Sequence, residues 1–319
     1  MTSQQNAQQN AQQNVQRILV VGAGATGGYF GARLAQAGRD VTFLVREGRA
    51  AVLRQRGLRI TGLGREDVIE PKLVTAPDLD GPFDLVLVTV KAAALPRALA
   101  DVAPAVGPET VIIPFLNGMA HLDALIAAFG ADRVLGGIVK VVTTVTDDGD
   151  ILQMNPLATL TVGELSGPPS ERVLRAVKTL AVPGFQASAT ADALASMWHK
   201  WVFIVAAGTV TCLLRGPVGA IVGVPGGTEF VHSVLAEAGT VAAAAGYPVP
   251  DHEKELSVDM LTQPGSTFTS SLYRDVVAGL PGETEHLLGD FTRRARLLGA
   301  DTPLINLALM QLRVSAATS

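Results

Sequence analysis

Lys200 has the most unusual surroundings of the charged residues in this chain, because it stands in the apolar segment 197–203, MWHKWVF. Lysine side chains are almost never fully buried without a partner. An ammonium group held in a cleft can donate a proton to a developing alkoxide or stabilise its negative charge. The alternative is a structural lysine whose aliphatic stem packs at the start of a helix while its charge reaches water.

Glu283 is the second charged residue of interest, and it lies in segment 279–286, GLPGETEH, ahead of an amphipathic pattern. The helix dipole favours a carboxylate in such a first turn, so the position alone does not require a function. The five histidines show no metal-ligand spacing, and the single cysteine, Cys212, excludes a disulfide framework. The sequence therefore predicts no metal site.

The motif Gly22-x-Gly24-x-x-Gly27 directly follows the short apolar run 18–21 and opens a helical pattern. In this context the first glycine allows a tight turn, the second lets a pyrophosphate approach the backbone, and the third lets the helix pack closely on the strand. The helix N-terminus adds free N–H groups and a positive dipole end. A dinucleotide-binding loop is predicted, formed by Gly22, Ala23, Gly24, Ala25, Thr26 and Gly27.

The end of the second predicted strand, 41–45, distinguishes two cofactors. NAD sites commonly carry Asp or Glu there, whereas NADP sites often have an arginine near the 2′-phosphate. Arg46 follows this strand directly, with Glu47 and Arg49 after it. An arginine directly after the strand favours NADPH as the cofactor. The alternative is that Arg46 is a solvated surface charge.

Lys91 and Asn117 each follow a predicted strand, over 85–90 and 111–115 respectively. Ligands of open α/β sheets bind outside the carboxyl ends of the strands. An asparagine there can hydrogen-bond a ribose or a substrate oxygen, although such a residue taken alone is more often an ordinary loop residue.

Alternation of these strands with helical patterns predicts parallel βαβ units and a doubly wound α/β sheet. Two longer strand-like segments, 134–146 and 151–163, flank a turn at 147–149, so a hairpin is expected to close that sheet. Ser170 is predicted to cap a helix over 171–180.

From Asp192 onward the pattern is helical, and we place a domain boundary near Thr190. The predicted organisation is a disordered Gln/Asn-rich tail over 1–14, an NADP-binding Rossmann domain over 15–190, and a helical substrate and dimerisation domain over 191–319. The predicted helices of the last domain are 192–214, 228–246, 251–262, 267–278, 283–298 and 303–315.

Composition excludes several classes of protein. Of the 319 residues, 48% are hydrophobic and 17% are charged, which excludes wholesale disorder. The net charge of −4 and the absence of a basic stripe argue against a nucleic-acid partner. The most apolar segment, 201–214, is shorter than the roughly 20 residues that cross a bilayer, and the N-terminus shows no secretory pattern. We therefore expect a cytoplasmic protein with no membrane segment.

Taken in order, these features resemble the ketopantoate reductase (2-dehydropantoate 2-reductase) family, from about Gln16 to the last helix. The resemblance implies a Rossmann-type domain followed by an all-helical C-terminal domain like that of 6-phosphogluconate dehydrogenase, with the active site in the cleft between them. It implies NADPH-dependent reduction of ketopantoate to pantoate, on the route to pantothenate and coenzyme A, and it is compatible with a homodimer. The motifs that carry it are Gly22-x-Gly24-Ala25-x-Gly27, Val90-Lys91, Asn117-Gly118-Met119, Trp198-x-Lys200, Ser270-Ser271 and segment 279–289.

The resemblance also implies a role for each matching residue. Lys200 falls on the family's catalytic lysine, its general acid. Asn117 falls on the asparagine that contacts cofactor and substrate, and Ser271 falls on the substrate-binding serine. Arg46 falls on the arginine that meets the NADP phosphate, and Lys91 on the lysine of the cofactor cleft.

Glu283 falls on the family's glutamate near the nicotinamide and the lysine. Glu285 competes for that role. Glu283 keeps the family's spacing from Ser271 without a gap and places Gly289 on the family's later glycine, so it is the preferred match.

Two positions depart from the family, which places asparagines four and eight residues after its catalytic lysine. Here those positions are Ile204 and Gly208. They share a helix face with Lys200, so that substrate-binding face has an aliphatic wall and a gap instead of two amides. A site that lacks hydrogen-bonding partners for a hydroxyl group distinguishes poorly between substrates with and without that group. Three functions stay open: ketopantoate reduction, reduction of a more apolar 2-keto acid, and NADP(H) sensing without catalysis.

Overall fold

The computed structural model describes residues 16–280 and 282–318, so the predicted disordered tail over 1–14 lies outside the described residues. The described chain forms two compact units. The first contains residues 16–116 and 121–193, and the second contains residues 117–120 and 194–318. The short segment 117–120, which includes Asn117, therefore belongs with the C-terminal helices.

Four strands of the N-terminal half alternate with helices as predicted, whereas three consecutive strands over 58–74 were not predicted. The strands are β1 Arg17–Val21, β2 Asp40–Leu44, β3 Leu58–Gly62, β4 Arg65–Ile69, β5 Lys72–Val74, β6 Leu85–Val88, β7 Val111–Pro114, β8 Gly136–Val145, β9 Ile151–Gly163 and β10 Gln186–Ala189. The helices are α1 Ala25–Gln36, α2 Glu47–Arg56, α3 Leu95–Val102, α4 Ala120–Phe129 and α5 Glu171–Leu180. Ser170 caps α5 by accepting a hydrogen bond from the Val173 backbone N–H, as predicted.

A parallel sheet forms the centre of the first unit, with five strands among the described residues in the order β5-β2-β1-β6-β7. Strands β1 and β6 are buried almost throughout, as apolar strands of a parallel sheet covered on both faces should be. The prediction of a doubly wound α/β sheet is confirmed. This order places the carboxyl ends of β1, β2 and β6 side by side, next to the predicted cofactor loop.

The predicted hairpin exists, but its expected place was wrong. β8 and β9 pair antiparallel around the 147–149 turn, and β9 also pairs with β3 and β10 in a second sheet, whose described path runs β10-β9-β3-β4. Among the described pairings, the central sheet and this segment are linked by the isolated bridge between Ile112 and Val134, two residues before β8 begins. The hairpin pairs elsewhere because β3 offers β9 an edge of a second sheet. The β3-β4 hairpin itself was not predicted, because its polar and charged residues resemble those of a loop.

The second unit is built from helices. They are α6 Ala193–Leu213, α7 Val218–Val222, α8 Gly227–Ala244, α9 Asp251–Thr262, α10 Ser271–Val277, α11 Asp290–Leu297 and α12 Pro303–Thr318, with a π-helical turn, Glu285–Gly289, before α11. The five-residue α7 was not predicted, because glycines flank so short a segment that it shows no helical period. The predicted helix over 267–278 begins later, at Ser271, because Ser270 is its N-cap.

Helix α6 is longer than the apolar segment 201–214 that the sequence singled out. It spans 21 residues, which is long and apolar enough to cross a membrane by length and composition, so the argument from a short segment was wrong. Of its most apolar window, 67% is buried inside the folded chain. A mostly buried helix of this kind is typical of a protein core, and α6 serves as the core helix of the second unit.

Candidate active site

The glycine loop after β1 has the shape that a dinucleotide requires. Gly22 adopts φ +99°, which favours glycine, and a side chain at Gly27 would overlap the Thr89 hydroxyl and the Gly22 carbonyl oxygen. A side chain at Gly24 would meet no heavy atom within 4 Å, so the loop is open on that side. Two tight glycines and one open glycine at an α1 N-terminus without a side-chain cap fit a bound pyrophosphate.

Thr89 is a loop-supporting residue that the sequence reasoning did not single out. Its hydroxyl lies 2.8 Å from the Val21 carbonyl oxygen and 2.9 Å from the Gly22 carbonyl oxygen. Thr89 follows β6, one strand away from the loop, so only the pairing of β1 with β6 brings it there. It secures the backbone turn that Gly22 begins.

Arg46 and Arg49 occupy different environments near the same loop. Arg46 is the exposed N-cap residue of α2, at the end of β2. Arg49 is half-buried and donates from Nε to the Ala23 carbonyl oxygen at 3.0 Å and from Nη1 to the Gly149 carbonyl oxygen at 2.8 Å. Burial lowers the pKa of Arg49, and the charge of Asp150 partly opposes that shift. Arg49 therefore supports the glycine loop, while Arg46 stays available at the surface.

Lys91 and Asn117 both follow strands, yet they belong to different units. Lys91 is exposed after β6, at the N-cap position of the short 3₁₀ segment Ala92–Ala94. Asn117 follows β7, is half-buried and clusters with the second unit. The two residues that the sequence treats alike therefore belong to different compact units.

Lys200, Ile204 and Gly208 lie on α6 at intervals of four residues, which places them on one helix face. Lys200 and Ile204 are half-buried and Gly208 is buried. A side chain at position 208 would lie 3.4 Å from Leu272 Cδ2 and 3.6 Å from Leu288 Cδ1. The gap that the sequence predicted is therefore bounded by two buried leucines.

Ser270 and Ser271 lie in different environments. Ser270 is buried and accepts a hydrogen bond from the Tyr273 backbone N–H at 3.0 Å, which starts α10. Its hydroxyl also lies 2.8 Å from the Thr211 hydroxyl, whose own proton goes to the Ala207 carbonyl oxygen at 2.6 Å. Ser271, the predicted substrate residue, is exposed at the first position of the helix.

The two competing glutamates are distinguished by Arg313. Glu285 receives two hydrogen bonds from the Arg313 guanidinium, at 2.6 Å and 2.7 Å, and this arginine holds the pKa of Glu285 below its usual range. Glu283 is half-buried, and its carbonyl oxygen accepts the Leu287 backbone N–H at 2.8 Å. The structure therefore engages Glu285 in an ion pair with α12.

The π-turn, Glu285–Gly289, lies inside the region predicted as one helix over 283–298. The Trp201 indole N–H donates to the Leu287 carbonyl oxygen at 3.2 Å, next to Lys200 in sequence. His286 Nε2 lies 2.5 Å from the Asn117 carbonyl oxygen. Sequence reasoning missed His286, because its partner stands 169 residues away and no local pattern signals that contact.

Among the described residues no group of three His, Cys, Asp or Glu side chains could hold a metal ion. Burial raises the pKa of the Cys212 thiol to about 11, so that thiol is protonated at neutral pH and unreactive as a nucleophile. The chemistry of the described site residues is thus that of ammonium, carboxylate, hydroxyl and amide groups.

A Rossmann-type sheet with a glycine loop in one unit and a helical second unit are the architecture expected of an oxidoreductase that uses a nicotinamide dinucleotide. Residues 18–167 match the family described as Ketopantoate reductase PanE/ApbA, and residues 192–315 match its C-terminal region. The chain belongs to the ketopantoate reductase family. The prediction of a nicotinamide dinucleotide cofactor is confirmed, and NADPH is typical of the family.

Individual relatives cover nearly the whole chain. The uncharacterized oxidoreductase YkpB of Bacillus subtilis (strain 168) is 32% identical over 301 residues, which covers 94% of this chain and 99% of YkpB. The crystal structure of 2-dehydropantoate 2-reductase from Geobacter metallireducens GS-15 has a TM-score of 0.85 at 25% identity, covering 94% and 99% of the two chains. The ternary structure of D-mandelate dehydrogenase with NADH and anilino(oxo)acetate has a TM-score of 0.86 at 17% identity, covering 95% and 99%, and shows the same fold.

Proposed function

We propose that this protein reduces ketopantoate to pantoate with NADPH, as a step of pantothenate and coenzyme A biosynthesis. The family supports reduction of a 2-keto acid with NADPH, and the observation that carries the proposal is Lys200, a half-buried ammonium group on the core helix. Bound NADPH would supply the hydride that the carbonyl carbon requires. The remaining chemistry is proton delivery and substrate orientation, which the side chains of this chain can perform.

Lys200 is proposed as the general acid that delivers a proton from Nζ to the carbonyl oxygen. Partial burial supports this role, because few water molecules then compete for that oxygen and the ammonium charge acts in a weaker dielectric. Glu283 is proposed to orient the lysine, the cofactor ribose or the substrate. Burial supports Glu283 over Glu285, because Glu283 is half-buried whereas Glu285 is exposed and paired with Arg313.

The other predicted residues are proposed to bind. In the first unit, the loop 22–27 would hold the pyrophosphate, Arg46 the 2′-phosphate, and Lys91 the cofactor at the end of β6. In the second unit, Asn117 and Ser271 would contact the substrate, with Asn117 also reaching the cofactor. A homodimer in the cytoplasm remains our expectation for the assembly and its location.

A more apolar 2-keto acid is the second candidate substrate, and the surroundings of Gly208 favour it. Leu272 and Leu288 bound the position where the family carries an asparagine, and Ile204 replaces the other asparagine one turn earlier. None of these side chains can hydrogen-bond the hydroxyl of ketopantoate. Burial of hydrocarbon in a hydrophobic pocket makes the free energy of binding more favourable, whereas a hydroxyl that is left without a hydrogen-bonding partner contributes little.

The deciding experiment compares ketopantoate with 3,3-dimethyl-2-oxobutanoate, the same acid without the hydroxyl, while NADPH oxidation is followed by absorbance. Phenylglyoxylate extends the series to an aromatic side chain. A higher kcat/KM for ketopantoate supports the pantothenate role, whereas a higher kcat/KM for either apolar acid supports the second candidate. NADPH binding without turnover of any 2-keto acid would contradict both and support the sensor function.

Cofactor preference tests the role of Arg46. We expect the wild-type protein to prefer NADPH. Arg46→Ala should raise the KM for NADPH by about 10- to 10²-fold, because that ratio corresponds to the free energy of one hydrogen bond to a charged group. The KM for NADH should stay unchanged, because NADH lacks the 2′-phosphate. Arg54→Ala is the matched control, since Arg54 lies exposed on the same helix and pairs with Glu47. An equal loss for both cofactors in Arg46→Ala would exclude the 2′-phosphate contact.

A further inference from the structure

The π-turn, Glu285–Gly289, connects several elements that carry the proposed substrate residues of the second unit. Its Leu287 carbonyl oxygen accepts the indole N–H of Trp201, the neighbour of Lys200 on α6. Its Leu288 side chain lies beside Gly208 on the same helix. Turns of this kind, with one extra residue per turn, occur frequently at functional sites. The turn therefore contacts α6 at two points, next to Lys200 in sequence and beside Gly208.

Within this turn, His286 makes the contact that is most distant in sequence. Its Nε2 lies 2.5 Å from the carbonyl oxygen of Asn117. A carbonyl oxygen can only accept a hydrogen bond, so Nε2 must carry the hydrogen and donate it. Both residues belong to the second unit, so this contact lies inside one compact body.

The loop after Asn117 lies close to His286. Gly118 adopts φ +78°, a conformation that favours glycine. A side chain at Gly118 would lie 3.4 Å from His286 Nε2 and 3.4 Å from the His286 carbonyl oxygen. Such contacts are ordinary van der Waals distances, so the backbone conformation rather than a lack of space favours glycine at position 118. The hydrogen bond from His286 holds the peptide that follows Asn117.

We propose that His286 is a positioning residue that acts through Asn117. By holding the Asn117 carbonyl, the imidazole sets the plane of the adjoining peptide and hence the direction in which the Asn117 side chain leaves the backbone. The inference rests on the proposed function, in which the Asn117 amide contacts cofactor and substrate. It adds a determinant of substrate alignment that does not itself touch the reacting atoms.

The test uses the full-length protein and three variants at position 286. His286→Ala removes the donor, His286→Phe removes it while keeping a ring, and His286→Gln supplies an amide N–H to the same carbonyl. We expect kcat/KM for the preferred 2-keto acid to fall by up to about 10²-fold in the first two, the cost of a misplacement near 1 Å. Glutamine should restore most of the loss, which a purely space-filling role would not allow. His232→Ala, at an exposed position on α8, is the control.

Hydrogen–deuterium exchange supplies a readout that does not depend on turnover. Amides of residues 117–120 should exchange faster in the alanine and phenylalanine variants and at the wild-type rate in the glutamine and His232→Ala variants. Unchanged exchange together with unchanged kcat/KM in His286→Phe would overturn the proposal. Failure of the proposed function would instead appear in the wild-type protein, as absence of 2-keto acid reduction, while the exchange comparison still decides whether His286 holds the loop.

Discussion

Replacing Lys200 by alanine is expected to lower kcat for 2-keto acid reduction by about 10²–10⁴-fold, the range that follows removal of a general acid. The carbonyl oxygen would then take its proton from water, which is neither charged nor held in place. Binding of NADPH should be unchanged, because the phosphate loop belongs to the first unit and Lys200 to the second. Steady-state kinetics and a fluorescence titration with NADPH measure the two quantities separately.

The variant Lys200→Arg tests whether catalysis needs the positive charge at residue 200 or the proton that the residue donates. Arginine keeps the positive charge but does not give up its proton in proteins, so kcat should stay low while the KM for the 2-keto acid changes little. Glu283→Gln and Glu285→Gln form a matched pair on the neighbouring turn. The first should lower kcat and the second should leave it near the wild-type value, because Glu285 is exposed and paired with Arg313. Wild-type kcat in Lys200→Ala would rule out the proton-donor assignment.

Gly27→Ala is expected to damage both the fold of the first unit and cofactor binding. The new methyl group would overlap the Gly22 carbonyl oxygen, which is backbone and cannot rotate away, as well as the Thr89 hydroxyl. Overpacking of this kind costs about 2–3 kcal/mol, which corresponds to a fall in Tm of roughly 5–10 °C for a unit of this size. Thermal unfolding and NADPH titration of the purified variant check both effects.

Two further glycines serve as controls for that prediction. Gly24→Ala adds a methyl group where no heavy atom lies within 4 Å, so Tm should stay constant while NADPH binds more weakly. Gly48→Ala, in helix α2 with equally open surroundings, should leave NADPH binding intact and stabilise the helix by up to about 1 kcal/mol. If Gly27→Ala kept both the wild-type Tm and the wild-type affinity for NADPH, the close packing of α1 on the loop would not matter for function.

The elements that the sequence predicted correctly are those whose signal is local. The run 18–21 with its glycines, the serine before α5 and the periodic helices α6, α8 and α9 were all predicted within a few residues of their bounds. Backbone conformation and the apolar period are properties of adjacent residues, so they are readable without knowledge of the fold. The second sheet was not readable in this way, because β3 and β4 are polar edge strands whose pairing with β9 is decided by packing.

The sequence by itself determined the class of this protein, because the glycine loop after a strand and the ordered motifs that resemble the family depend only on residue type and spacing. Only the tertiary structure decided which partner each side chain takes. Glu285 meets Arg313 from α12, Leu272 and Leu288 bound the space at Gly208, and His286 holds Asn117 from 169 residues away. The physical reason is that hydrogen bonds and van der Waals contacts act over a few ångströms of space, whereas sequence patterns describe only neighbours along the chain.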